Sequence, residues 1–217
     1  IPFTISNEAV EEFRGYIKER NKDLITSFDE KVETLEEEEK SILNKLINSD
    51  KAIKLTTLDY TKPDNNEELL RISAKKVLNS YALISPLIIG GNADTSSSTK
   101  IYLNELTPFN ADNYIGRNIN FGVREHAMAS IANGLALAGY RPFVSTFLSF
   151  SDYLKPALRL TALMKLPVTY IFTHDSISIG QDGPTHQPVE QLVSLRATPN
   201  MEVFRPADSN EVIGAFK

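Results

Sequence analysis

The sequence has no cysteine and no tryptophan among its 217 residues, and only three histidines. Without cysteine, a disulfide scaffold, a thiolate metal site and a cysteine nucleophile are all excluded. Positive charge is also scarce, with 23 Lys plus Arg against 28 Asp plus Glu and a net charge of -5. That balance argues against a surface built to cover a phosphate backbone, so no nucleic-acid partner is expected. The apolar runs are a few residues long, far short of the roughly 20 needed to span a bilayer, and no membrane partner is expected. The chain opens on Ile1-Pro-Phe-Thr4 with no basic segment leading into an apolar one. The expectation is a cytoplasmic protein without a signal peptide, trimmed of its initiator Met. What remains is ordinary for a globular chain: 41% of residues are hydrophobic and 24% charged.

Residues 1 to about 58 differ in kind from the rest, being rich in Glu and Lys. Leu24, Phe28, Val32, Leu35, Ile42, Leu43, Leu46 and Ile47 recur mostly at intervals of three and four, the pattern of an amphipathic helix. Ser6, followed by Asn7 and Glu8, predicts the start of an earlier helix running through Ala9, Val10, Phe13 and Ile17. The acidic run Glu36 to Glu39 reads as a hydrated helix surface. Such helices form no self-sufficient core and are expected to pack on something else.

After Pro63-Asp64 helical and strand-like stretches alternate. Helices are predicted over Glu67–Tyr81, Glu125–Ala138, Tyr153–Lys165 and Gln187–Ala197, with another beginning at Asn210. Strands are predicted over Pro86–Gly91, Pro142–Phe147, Pro167–Thr173 and Met201–Phe204. Strands that are apolar throughout and alternate with helices indicate an α/β fold with a parallel sheet flanked by helices. In such folds ligands sit beyond the carboxyl ends of the strands, here the loops after Gly91, Thr146 and Thr173. The chain stops within an apparent helix, and the expectation is truncation before one more strand.

Several clusters on these loops could carry chemistry. Gly90-Gly91-Asn92-Ala93-Asp94 lacks the Gly-x-Gly-x-x-Gly spacing of a dinucleotide site and reads as a tight strand-to-loop turn. Ser96-Ser97-Ser98-Thr99 reads as a polar loop able to donate to an anion. His174, Asp175, Asp182 and His186 fall within 13 residues. They could ligate a metal, but no His-Glu-x-x-His spacing occurs and Gly183-Pro184 breaks helix, so a polar substrate site is the better reading. Glu125 opens an otherwise apolar helix. Either the helix dipole accounts for it, or an apolar wall suits it to acid-base work. Phe147, Phe150 and Tyr153 could be core or an aromatic wall for a flat heterocycle.

Four stretches settle the family. They are Asn120-Phe-Gly-Val-Arg-Glu-His-Ala-Met128, Thr146-Phe-Leu-Ser-Phe-Ser-Asp-Tyr153, Thr173-His-Asp-Ser-Ile-Ser-Ile-Gly-Gln-Asp-Gly-Pro-Thr-His-Gln-Pro188 and Arg205-Pro-Ala-Asp-Ser-Asn-Glu211. Together they closely resemble the pyrimidine-binding domain of transketolase. The resemblance implies a helical inter-domain linker over 1–60, followed by that domain over 61–217. It implies that Glu125 hydrogen-bonds N1′ of the aminopyrimidine of thiamine diphosphate and so activates it, and that Phe147, Phe150 and Tyr153 surround the pyrimidine. It also implies that His186 and Asp182 contact sugar hydroxyls, with His186 sharing the catalytic work. His174, Ser98 and Arg71 would hold the substrate phosphate. Two departures stand out: Asp94-Thr-Ser-Ser-Ser98 replaces the family's Asp-Leu-x-Pro-Ser, and Gln181 replaces its Glu.

The reaction implied is transfer of a two-carbon glycolaldehyde unit from a ketose phosphate to an aldose phosphate, in the pentose phosphate pathway. The intact enzyme would be a homodimer holding thiamine diphosphate with Mg2+ or Ca2+. The family's diphosphate-binding domain, whose Gly-Asp-Gly motif holds that metal, is not found in these residues. No metal ligand is therefore assigned here, and the chain alone is expected to supply half a site and to be inactive. Two alternatives are a dihydroxyacetone synthase and a non-catalytic interaction module. Retention of Glu125, Asp182 and both loop histidines argues against the second.

Overall fold

The computed structural model describes residues 4–48 and 68–217. The expected boundary between residues 60 and 61 lies outside the described residues, as does Glu67. The chain divides into two compact units at Asn44/Lys45.

Three helices come first: α1 (Asn7–Arg20), α2 (Lys22–Glu33) and α3 (Glu37–Ile47). Ser6 caps α1 as expected, its hydroxyl accepting from the backbone N–H of Ala9 at 3.2 Å. The backbone N–H of Glu36 donates to the Glu39 carboxylate at 3.0 Å, holding the entry to α3. None of the three helices has a buried residue, and Phe13, Tyr16, Leu24 and Phe28 are exposed. The periodicity thus specifies helices that have an apolar stripe but no core of their own.

The second unit is built on a parallel four-stranded sheet of order β2-β1-β3-β4, with β1 (Ile88–Asn92), β2 (Asn118–Asn120), β3 (Arg141–Phe147) and β4 (Thr169–Thr173). Helices α4 (Leu70–Ile84) and α9 (Ser209–Phe216) pack on one another. Their core contains Val77, Leu78, Tyr81 and Val212 with Phe143 and Ile171 of the sheet. A second core joins α6 (Glu125–Leu137) and α7 (Ser151–Met164) to Val144 through Met128, Ala129, Leu154 and Leu158. Phe143 and Val144 are successive residues serving different cores, which is why the strand is apolar throughout. Full burial of side chains such as Phe143 and Leu158 is worth about 2–3 kcal/mol each.

Polar groups fix the ends of these elements. Asp208 caps α9, accepting from the backbone N–H groups of Asn210 and Glu211, while Glu211 reaches back to that of Ala207. Arg117, just before β2, donates to the carbonyls of Ala82 at 3.1 Å and Ser85 at 2.9 Å, closing the C-terminal end of α4. Asn133 of α6, Thr161 of α7 and Tyr170 of β4 form a buried chain of hydrogen bonds. Burial pushes the Tyr170 phenol up to about 12, so it stays a donor.

Several expectations need correction. Met201–Phe204 forms no strand: Met201 and Val203 pack on the second core, but the backbone joins no ladder. Side-chain alternation alone cannot supply ladder partners. Gly90 and Gly91 lie inside β1, as the expected strand has them, but the turn read from Gly90 begins only after Asn92; a Cβ at either glycine would overlap the carbonyl oxygen of Phe143 or Ile119 on the adjacent strand. Ser96–Thr99 is the short helix α5, not a loop, and Thr99 turns inward to donate to Asn92 Oδ1 at 2.7 Å. Helix α8 covers only Gln191–Arg196, because the Gln191 side chain accepts from the N–H of Val189 ahead of it. Among the described residues, no helix is long and apolar enough to cross a membrane.

Candidate functional site

The loops beyond Asn120, Phe147 and Thr173 leave the same carboxyl edge of the sheet, where the strand order reverses direction around β1 and β3. Glu125 is the first residue of α6, which packs on β3. The residue as a whole is 7% exposed, and among the described residues no hydrogen bond to its carboxylate is recorded, yet its oxygens are not among the fully enclosed unpartnered atoms. The acid therefore stands at the edge of the core with acceptor capacity open to a ligand. The positive end of the helix favours its charge but leaves that capacity open.

At the end of β3 the chain turns through a single 3-10 turn (Leu148–Phe150) into α7. This turn lays the Phe147 and Phe150 rings parallel, 5.5 Å apart at an interplanar angle of 20°. Tyr153 follows one turn on, its ring 6.1 Å from Phe150 and largely exposed. The three aromatics therefore form a continuous wall whose inner end is buried and whose outer end is open. The same bend strands the hydroxyls of Thr146 and Ser149, which are buried without a hydrogen-bond partner.

Both loop histidines pack on this wall. The His174 ring lies 3.9 Å from that of Phe147, and the His186 ring lies 5.0 Å from Phe150 in an edge-on contact. His174 follows β4 directly and adopts a left-handed φ of 54°, which turns the chain sharply out of the sheet. Burial, then the positive charge of Arg71, lowers the proton affinity of His174 below the ordinary histidine value, and the carboxylates of Asp182 and Asp175 oppose this. These couplings bring Arg71, Asp182 and His186 into one electrostatic neighbourhood with His174. Asp182 itself is exposed on the loop.

Arg71 stands in the first turn of α4, with its Nε buried and without a hydrogen-bond partner. It lines, with His174 and Asp175, a cavity of about 690 Å3 that runs along β4. A guanidinium with an unpartnered Nε, beside an imidazole, supplies donors suited to an anion. Arg205 is engaged instead with Asp175, donating to its carboxylate at 2.9 Å and so fastening the residue that follows His174.

The structure thus brings Arg71, Phe147, Phe150, Tyr153, His174, Asp182 and His186 together, and places Glu125 on the same edge. Ser98 is different: it sits half-buried on α5 and is not among the residues lining the Arg71–His174 cavity. Sequence reasoning missed Thr173 and Thr185, each of which bonds the histidine that follows it. The repeated Thr-His pair was the available signal. Among the described residues no group of three His, Asp or Glu side chains is placed to hold a metal ion.

Comparison with known proteins shows the family of the chain and of its fold. Residues 70–217 match the family described as "Transketolase, pyrimidine binding domain". A transketolase from Halalkalibacterium halodurans is 55% identical over 148 residues, covering 68% of this chain and 22% of the relative. The matched segment therefore spans about a fifth of that relative, and the whole chain about a third of a probable transketolase from Streptococcus pneumoniae that matches 99% of it at 40% identity. Among solved structures, a transketolase from Leishmania mexicana superposes with a TM-score of 0.82 at 33% identity, over 100% of this chain and 33% of that one. A transketolase variant from Pichia stipitis in complex with fructose 6-phosphate superposes with a TM-score of 0.81 at 34% identity, over 99% of this chain and 33% of that one.

Proposed function

Because this chain belongs to the transketolase family and carries its pyrimidine-binding domain, we propose that it is part of an enzyme moving a two-carbon glycolaldehyde unit from a ketose phosphate to an aldose phosphate. The observation that carries this reading is Glu125, a largely buried residue at the start of α6 whose carboxylate has no hydrogen-bond partner among the described residues. Thiamine diphosphate fits that vacancy by chemistry: its aminopyrimidine offers a ring nitrogen for the acid and a flat face for the Phe147–Phe150 wall. When bound, the cofactor supplies the electron-accepting thiazolium that the carbon transfer requires.

The chain's own residues divide the remaining work. Glu125 shares a proton with N1′ of the pyrimidine. Phe147, Phe150 and Tyr153 orient the ring. Arg71, His174 and Ser98 hold the substrate phosphate. Asp182 and His186 take the sugar hydroxyls, His186 contributing proton transfer near the reacting carbons. Residues 1–60 serve as the inter-domain linker. The rest of the protein supplies the diphosphate and Mg2+ or Ca2+ sites, and the cytoplasmic enzyme is a homodimer.

The test is Glu125→Gln in the full-length enzyme, assayed with xylulose 5-phosphate and ribose 5-phosphate. Loss of one positioned acid-base group predicts a fall in kcat of about 10²–10⁴, with an unchanged far-UV spectrum because the side chains are nearly isosteric. Wild-type turnover by that variant would reject the role of Glu125. The 217-residue chain alone is expected to show no turnover.

A further inference from the structure

The two histidines at the candidate site share a device that neither the fold nor the aromatic wall requires. Each is preceded by a threonine, and in both pairs the threonine hydroxyl lies 2.8 Å from the histidine Nδ1: Thr173 with His174, and Thr185 with His186. The pairs arise from unrelated local structure. Thr173 is the last residue of β4, whereas Thr185 sits in a 3-10 turn that follows Gly183 at a φ of 78°. The same contact in two different backbones points to a requirement of the rings rather than a by-product of one turn.

The rings are otherwise held only by stacking. His174 lies on Phe147, and His186 lies against Phe147 and Phe150. Stacking fixes the plane of a ring but leaves it free to turn over by 180° about Cβ–Cγ, exchanging Nδ1 for Cδ2. The hydroxyl removes that freedom. Once Nδ1 is engaged, Nε2 is the one polar atom each ring has left, and no described residue bonds it.

For Thr173 the direction of the bond follows from burial, and the exposed Thr185 is assigned the same direction by its matching contact. Thr173 is 9% exposed and its hydroxyl has no other recorded partner. If Nδ1–H donated to Oγ1, the hydroxyl proton would itself be left buried without an acceptor. Donation from the hydroxyl to Nδ1 satisfies both groups and leaves the ring proton on Nε2. The depressed proton affinity of His174 is consistent with this, since a ring accepting at Nδ1 must be neutral.

We propose that Thr173 and Thr185 are positioning residues, each donating its hydroxyl to Nδ1 of the next histidine and so presenting Nε2–H as a fixed donor to the oxygens of a phosphorylated sugar. For its ligand this inference rests on the proposed function. The tautomer it assigns does not. A phosphate oxygen accepts and cannot donate, so a ring held in the opposite form would face it with a lone pair.

The chain's histidine count makes the test direct, because only three ring systems occur. The third, His126, is exposed and its ring makes no recorded hydrogen bond, so it serves as an internal reference. Long-range 1H–15N correlation spectra of the 15N-histidine-labelled chain are recorded at about pH 8, above the ordinary histidine range. Expected are pure Nε2–H patterns for His174 and His186. Thr173→Val and Thr185→Val each convert the following ring to a mixture resembling His126, while Thr173→Ser and Thr185→Ser retain the pure form. An Nδ1–H pattern in the wild type, or an unchanged pattern in both Val variants, overturns the proposal. Should Thr173→Val fold poorly, the wild-type spectrum and the exposed Thr185→Val still decide it.

In the full-length enzyme, Thr173→Val is expected to raise KM for a phosphorylated ketose about tenfold, the weight of one hydrogen bond. The change in kcat is expected to stay within about twofold, with Thr173→Ser restoring KM. If KM rises equally with an unphosphorylated ketose while the tautomers behave as expected, the phosphate assignment in the proposed function falls and the positioning role stands.

Discussion

The hydrogen-bond chain Tyr170–Thr161–Asn133 can be dissected with a single isosteric change. Thr161 Oγ1 has one proton, which it gives to Asn133 Oδ1 at 2.5 Å, and it accepts from the Tyr170 hydroxyl at 2.7 Å. Thr161→Val preserves shape and removes both bonds. Asn133 is 6% exposed, so its stranded carbonyl pays a full desolvation cost of about 1–3 kcal/mol. The Tyr170 hydroxyl is desolvated too, although the residue as a whole is half-buried, so losing its acceptor adds to the cost. The expected loss is about 2–3 kcal/mol, read by urea unfolding of the chain as a midpoint shift of about 1 M for a slope near 2 kcal/mol/M. Adding Asn133→Leu to Thr161→Val removes the stranded acceptor as well, so the double variant should be more stable than Thr161→Val alone. A loss below about 0.5 kcal/mol, or strictly additive losses, would refute the claim that unpaired burial sets the cost.

Two further outcomes follow from the site and the sheet. His174 has a lowered folded-state proton affinity, so the unfolded chain binds the proton more readily and stability falls as pH drops through the ordinary histidine value near 6.5. That stability is fully present above this value, and Arg71→Ala should move the His174 midpoint upward in an NMR titration; a midpoint unchanged or lowered would contradict the charge coupling. Gly90→Ala should abolish soluble folded protein, because the added methyl overlaps the Phe143 carbonyl across a ladder that cannot separate. A Gly90→Ala variant with native spectra and stability would show that the strands can part there.

The sequence made some elements plain and hid others for identifiable reasons. Helix α6 was legible because Glu125 to Leu137 is apolar at helical spacing and bounded by Gly139. Strand β2 was not, because Asn118-Ile-Asn120 has one apolar residue. Its place is set by pairing with β1 and by the Asn118 amide, which donates to the carbonyls of Leu103 and Leu106. Met201–Phe204 failed the other way, with strand-like alternation but no ladder partner. At the site, the aromatic wall and both histidines could be named from motifs, and Arg71 and Glu125 with them. What could not be read was that Arg71 Nε and the Thr146 and Ser149 hydroxyls lack partners, since satisfaction depends on three-dimensional neighbours. Thr173 was hidden because a threonine at the end of a strand reads first as a β-former.

Helix α4 has one guanidinium at each end. Arg71 stands in its first turn, and Arg117 grips the carbonyls of Ala82 and Ser85 at the other end, some 20 Å away at helical rise. Arg117 therefore fixes the far end of the helix whose first turn presents the Arg71 charge, although Arg117 does not line the cavity. Screens that score residues by distance to the ligand would overlook it.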